Sequence, residues 1–265
     1  MNIAILGGGN LGAAIAQGIV KAKVAKASQV YITRRNLSKL DEVKGQGFKI
    51  TTDNIEAVKN SSIIMLCVQP KQLTGLLQEI NKVLDKRKHL LVSTITGVAI
   101  EEIAAKSPEN ISIIRAMPNT AVAIGVSMTC LCTTNASGKQ MSSIQNIFNA
   151  LGETLIIEER LMKAATVLAA SGIAFFMRYL RAATQGGIQL GFDSEEAQLI
   201  ARQTAKGAAM LLQQHHSHPE VEIDKVTTPE GCTIAGLNEM EHQGLSSALI
   251  KGIVASYEKI SRIRS

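Results

Sequence analysis

The sequence predicts an α/β domain built on a parallel sheet, followed by an all-α domain. Three observations carry that reading. Short β-branched runs alternate with amphipathic helical stretches through the first half, which is the pattern of a doubly wound sheet covered by helices on both faces. A glycine-rich turn follows the first of those runs directly. Beyond about residue 158 no strand-like segment remains. The division expected is 1–158 for the sheet domain and 159–265 for the helical one, and 265 residues suffice for both.

Taken in order, the candidate strands are NIAIL (Asn2–Leu6), QVYIT (Gln29–Thr33), SIIMLCV (Ser62–Val68), HLLVSTI (His89–Ile95) and SIIRAM (Ser112–Met117). Helical patterns lie between them, among them LGAAIAQGIVKA after the first strand and NLSKLDEVKGQG after the second. GVSMTCLC (Gly125–Cys132) and TLIIEE (Thr154–Glu159) add strands towards the far edge of the sheet. From Leu161 onward the chain is rich in alanine and glycine at helical spacing. Small residues let helices approach closely, so this half is expected to be used in dimerisation.

Composition narrows the function classes. There is no tryptophan and aromatics are 3%, which argues against the stacking platforms of single-strand recognition. The net charge of +6 comes from scattered lysines and not from a dense stripe, so no nucleic-acid partner is expected. Cys67, Cys130 and Cys132 read as buried thiols, no spacing resembles a zinc site, and no metal is expected. With no signal-peptide pattern at the start, the cytoplasm is the expected location. The apolar stretch Ala164–Met177, bounded by Lys163 and Arg178, is too short for a membrane span and reads as a buried helix.

GGGNLG places Gly7, Gly9 and Gly12 in a G-x-G-x-x-G turn, with Asn10 and Leu11 opening the helix. The first glycine makes a tight turn, the second lets a pyrophosphate approach the backbone, and the third allows close helix–strand packing. The free N–H groups of the helix start then face an anion. This is the fingerprint of a Rossmann dinucleotide-binding domain. At the end of the second strand, where an NAD-binding protein carries an acid for the ribose hydroxyls, this chain has Arg34 and Arg35. A guanidinium pairs with a 2′-phosphate, which favours NADPH and leaves NADH open as a second donor.

By these residues the chain resembles the pyrroline-5-carboxylate reductase family. IAILGGGNLGAAIAQGIV is similar to the family's opening, SSIIMLCVQPKQL to its fourth-strand motif, IIRAMPNTAVAIGVSMT to its R-A-M-P-N-T-P segment, and VTTPEGCTIAGL to its V-T-S-P-G-G-T-T-I-A-G-L loop. The resemblance implies reduction of 1-pyrroline-5-carboxylate to L-proline, a helical domain that interleaves two chains, and dimers that assemble further into decamers. It implies that Val68, Gln69 and Pro70 border the cofactor, that Met117, Pro118 and Asn119 line its nicotinamide end, and that Asn54 lies near the adenosine ribose. The loop Thr228–Thr233, with Gly231 and Cys232, would hold the substrate carboxylate on backbone N–H groups. Thr233 would meet the ring nitrogen and polarise the C=N group.

The departures cluster in the second half. Ile173 stands where the family has proline, Phe175 where it has an aromatic hydroxyl, Arg181 where it has glutamate, and Glu230 and Cys232 replace a glycine and a threonine. Because glutamate does not reach positive φ easily, the turn is expected to shift slightly. His215, His216 and His218 read as a solvated helix end. Two alternatives stay open on the residues alone: a reductase of another cyclic imine or keto acid, and a non-catalytic NADP(H)-binding dimer.

Overall fold

The computed structural model describes residues 1–40, 43 and 45–261. They form two compact units, Met1–Ser171 with the chain from Tyr257 onward, and Gly172–Ser256.

The first unit is an eight-stranded sheet: β1 (Ile3–Leu6), β2 (Val30–Thr33), β3 (Lys49–Thr51), β4 (Ile63–Leu66), β5 (Leu90–Ser93), β6 (Ser112–Met117), β7 (Ser127–Thr133) and β8 (Gly152–Ile156). The spatial order is β3-β2-β1-β4-β5-β6-β7-β8, parallel except that β7 runs antiparallel to β6. The parallel expectation therefore needs one correction, a reversal at β7. A parallel crossover needs a dozen or more residues. The short connection from Met117 to Ser127 allows only a turn back.

Alternate side chains of β1 point to opposite faces, and each face is covered. Ile3 and Ile5 pack with Ile15 and Ile19 of α1 (Asn10–Lys21), while Ala4 and Leu6 pack on the face that carries α2 (Asn54–Lys59), α3 (Leu73–Ile80) and α4 (Ile100–Ala104). α5 (Gly138–Asn149) closes the first face with Ile144, Ile147 and Phe148, all buried. α6 (Met162–Ala165) then runs into a π-helical segment, Thr166–Ser171.

Two helical expectations change. NLSKLDEVKGQG lies partly outside the described residues, and its described part forms only a 3-10 turn at Leu37–Leu40, followed by Gly45 and Gly47 at φ +81° and +86°. Ala164–Met177 is not a buried helix. Leu168, Phe176 and Met177 are 70%, 52% and 58% exposed. The helical run Glu159–Gln189 is long and apolar enough to cross a membrane by length and composition, with 17% of its most apolar window buried.

The second unit contains α7 (Gly172–Gln189), α8 (Ser194–His215), α9 (Pro219–Val226), α10 (Cys232–His242) and most of α11 (Leu245–Ser261). α7 and α8 pair closely through small residues: a Cβ on Gly187 would lie 3.0 Å from that of Ala197. Asp193 and Glu196 form a capping box that starts α8. His216, at φ +51°, ends it.

Candidate active site

The glycine turn sits where the strand order reverses between β1 and β4, the crevice in which doubly wound sheets bind ligands. Two of its glycines are enforced by backbone. Gly7 has φ +111°, and a Cβ there would lie 2.5 Å from the Cys67 carbonyl oxygen; a Cβ on Gly12 would run into the carbonyl of Gly7. Gly9 is different. Nothing lies within 4 Å of its would-be Cβ, and it is the N-cap of α1 with no side-chain bond to the first N–H groups. The open space above Gly9 and the uncapped helix start fit a pyrophosphate.

Gly7, Gly8 and Gly9 line a cleft of about 800 Å³ together with Thr33, Arg34, Arg35 and Asn54. The two arginines divide. Arg34 Nη1 donates to the Gly8 carbonyl at 2.7 Å and so braces the glycine turn. Arg35 is exposed in the cleft wall and makes no hydrogen bond or ion pair among the described residues. Asn54 is engaged at both ends: its Oδ1 accepts from Thr33 Oγ1 at 2.6 Å and its Nδ2 donates to Glu79 Oε2 at 2.9 Å. Glu79, Lys71 and Thr52 also line the cleft and escaped the sequence reading. Lys71 belongs to the SSIIMLCVQPKQL motif. Glu79 gave no signal, because a lone acid on an amphipathic helix reads as surface.

Val68 and Gln69 line the cleft beside Cys67; Pro70 begins the 3-10 turn Pro70–Gln72. Burial pushes the Cys67 thiol up to about 11, against a hydrogen bond from Thr94 that lowers it, so Cys67 is no nucleophile at neutral pH. Asn10, Leu11, Gly12, Met117 and Asn119 are not among the residues lining this cleft. Met117 is 2% exposed and packs in the core. Asn119 is a strut: its Oδ1 accepts from the Ala121 N–H at 3.0 Å and its Nδ2 donates to the Ala169 carbonyl at 3.1 Å, tying the loop after β6 to the π-helical segment.

The second unit holds the Thr228–Thr233 turn. The Gly231 N–H donates to the Thr228 carbonyl at 3.0 Å, and Gly231 is the N-cap of α10 with no side-chain bond to the following N–H groups. A Cβ on Gly231 would collide with the Thr228 hydroxyl and lie 2.9 Å from its carbonyl oxygen, so glycine is required there. The N–H groups of the first helical turn, Cys232 and Thr233 among them, are left for an anion. Cys232 is exposed and Thr233 half-buried. Nearby, Glu222 accepts from Lys225 at 2.7 Å and from Ser217 at 2.6 Å, which with His215 holds its carboxyl down at about 2. No cluster of three or more metal-ligating side chains occurs among the described residues.

Residues 159–263 match the family described as pyrroline-5-carboxylate reductase dimerisation, and residues 2–97 match NADP oxidoreductase, coenzyme F420-dependent. The chain is 46% identical to pyrroline-5-carboxylate reductase 2 of Dictyostelium discoideum, over 98% of this chain and 92% of that protein. The chain belongs to the pyrroline-5-carboxylate reductase family. It is also 46% identical to pyrroline-5-carboxylate reductase 1 of the same organism over 98% of its own length, and spans about half, 49%, of that longer protein. A crystal structure of Plasmodium falciparum pyrroline carboxylate reductase with NADP bound shares the fold, with a TM-score of 0.91 at 23% identity, covering 100% of this chain and 98% of that one.

Within the reductase family pattern, Glu230 is the informative departure. It adopts φ +57°, the left-handed region that glycine occupies freely. The turn therefore tolerates the substitution by taking up backbone strain, and the Gly231–Thr228 hydrogen bond closes it all the same. The Glu230 residue is exposed.

Proposed function

We propose that this chain reduces 1-pyrroline-5-carboxylate to L-proline, the last step of proline biosynthesis, with NADPH as the preferred donor and NADH as a second one. One observation carries the reading. A dinucleotide cradle and the Thr228–Thr233 turn occur, in order, in a sequence 46% identical to named reductases over 98% of its length. The nicotinamide supplies the hydride that reaches the C=N carbon.

The chain's own residues do the rest. Gly7, Gly9 and Gly12, with the N–H groups at Asn10 and Leu11, hold the pyrophosphate. Arg35 meets the 2′-phosphate while Arg34 keeps the glycine turn in shape. Asn54 reaches the adenosine ribose, Val68, Gln69 and Pro70 border the cofactor, and Met117 and Asn119 form the nicotinamide end through their backbone and the loop they anchor. In the second unit Thr228 and Gly231 shape the turn, the N–H groups of Cys232 and Thr233 hold the substrate carboxylate, and the Thr233 hydroxyl orients the ring nitrogen. Two chains pair through the helical half as a homodimer, and dimers assemble into a decamer in the cytoplasm.

The test follows NADPH oxidation by the purified protein with and without 1-pyrroline-5-carboxylate and identifies the product by mass spectrometry. Saturable consumption yielding proline supports the proposal. NADPH binding without turnover, or turnover only with another cyclic imine or keto acid, overturns it.

A further inference from the structure

Three cations line the cofactor cleft, Arg34, Arg35 and Lys71, and among the described residues that line it there is a single acid, Glu79. Its placement is not that of an incidental surface carboxylate. Glu79 lies in the last turn of α3 with its side chain exposed. It is nevertheless held there. Asn54 Nδ2 donates to Glu79 Oε2 at 2.9 Å, and Asn54 Oδ1 accepts from Thr33 Oγ1 at 2.6 Å. A carboxylate only accepts, so the amide has one workable orientation and the relay from the tip of β2 to α3 is fixed.

Thr33 directly precedes the two arginines. In sheets of this kind an acid at the tip of the second strand accepts the ribose hydroxyls of an unphosphorylated dinucleotide. Here that tip carries arginines, and a carboxylate arrives at the same end of the cleft from α3, carried by Asn54. Opposite charges thus meet where a 2′-hydroxyl and a 2′-phosphate differ.

We propose that Glu79 is a specificity-determining residue for the cofactor: it accepts a hydroxyl of the unphosphorylated adenosine ribose and repels a 2′-phosphate, keeping NADH usable beside arginines that favour NADPH. This rests on the dinucleotide-binding role proposed above. Between an exposed carboxylate and a phosphate of about two negative charges, repulsion across a few ångströms of water is worth about three- to tenfold in affinity at low salt, and less as salt screens it.

The experiment measures dissociation constants for NADPH and NADH by calorimetry on the full-length protein and on Glu79→Gln. Glutamine keeps the shape and an oxygen to accept from Asn54, so the variant removes charge and leaves the relay. The expected result is tighter NADPH, weaker NADH and a ratio changed about three- to tenfold, shrinking as salt is raised. An unchanged ratio overturns the proposal, as does an equal loss for both nucleotides, which would mark Glu79 as structural. Wild-type protein that binds neither nucleotide overturns the dinucleotide reading itself.

Discussion

The glycine turn at Gly7–Gly12 and the turn at Thr228–Thr233 both present the uncapped start of a helix, α1 in one case and α10 in the other. They achieve this in different ways. The first is wedged into a buried sheet, where carbonyls of Cys67 and Gly7 fill the space a side chain would need. The second lies on a half-exposed surface, shaped by one backbone hydrogen bond and the close approach of Thr228 to Gly231. A buried turn is specified by its neighbours and resists substitution. An exposed turn is specified by its own dihedrals, so one residue can depart at a modest cost, as Glu230 does.

Substitutions that exchange these properties give the sharpest tests. The largest effect belongs to Gly12→Ala, whose methyl meets backbone that cannot move aside. It should cost about 1–3 kcal/mol of stability and abolish measurable NADPH binding, read by denaturant unfolding and calorimetry. Gly9→Ala should separate the two losses. Its methyl enters open space, so the midpoint of unfolding should stay near wild type while NADPH affinity falls about tenfold or more, because the methyl stands where the pyrophosphate approaches. A stability loss equal to that of Gly12→Ala would erase the distinction between packing and binding glycines.

In the exposed turn the sign should reverse. Glu230→Gly relieves a left-handed glutamate and should stabilise the protein by up to about 1 kcal/mol, offset in part by the greater freedom of glycine in the unfolded chain. Reductase turnover should be retained. A destabilised variant would mean that the Glu230 side chain makes a contact the single chain does not display.

The smallest effect concerns the buried unit alone. His89 is 3% exposed, and its Nδ1 accepts from the Asp85 N–H at 2.9 Å. Burial is the main cause that lowers its pKa from 6.5, assisted by Lys88. A histidine whose folded pKa lies below its unfolded value leaves the unfolded state holding more protons at acid pH. Stability should therefore fall as pH drops through 6.5 and level off below the folded pKa. The melting temperature should decline over that window in wild type and less so in His89→Asn; identical profiles would remove His89 as the cause.

The same contrast explains what could be read from the sequence. The central strands β1, β2, β4, β5 and β6 announce themselves as β-branched runs, because both faces are buried and most of their residues are apolar. β3 was missed: it is three residues long and half-exposed at the sheet edge, so Lys49–Thr51 carries almost no pattern. The reversal at β7 is set by a short connection and leaves no mark in the strand's own residues. Gly7 and Gly12 belong to a glycine pattern visible in the sequence, and backbone fills the space a side chain would need at both. The bond from Asn119 to the Ala169 carbonyl is a long-range link that no local pattern encodes. Glu79 lines the cleft and is tied there to Asn54, 25 residues away in the chain, a pairing equally hidden from local pattern.

In the proposed division of labour, the glycine cradle holds the cofactor and the turn that opens α10 polarises the substrate's C=N group. Thr233→Ala tests it most directly, with NADPH affinity by calorimetry and turnover with 1-pyrroline-5-carboxylate measured on the same preparation. The account predicts an unchanged dissociation constant and a turnover lowered by about a hundredfold. Loss of both together, or of neither, would contradict it.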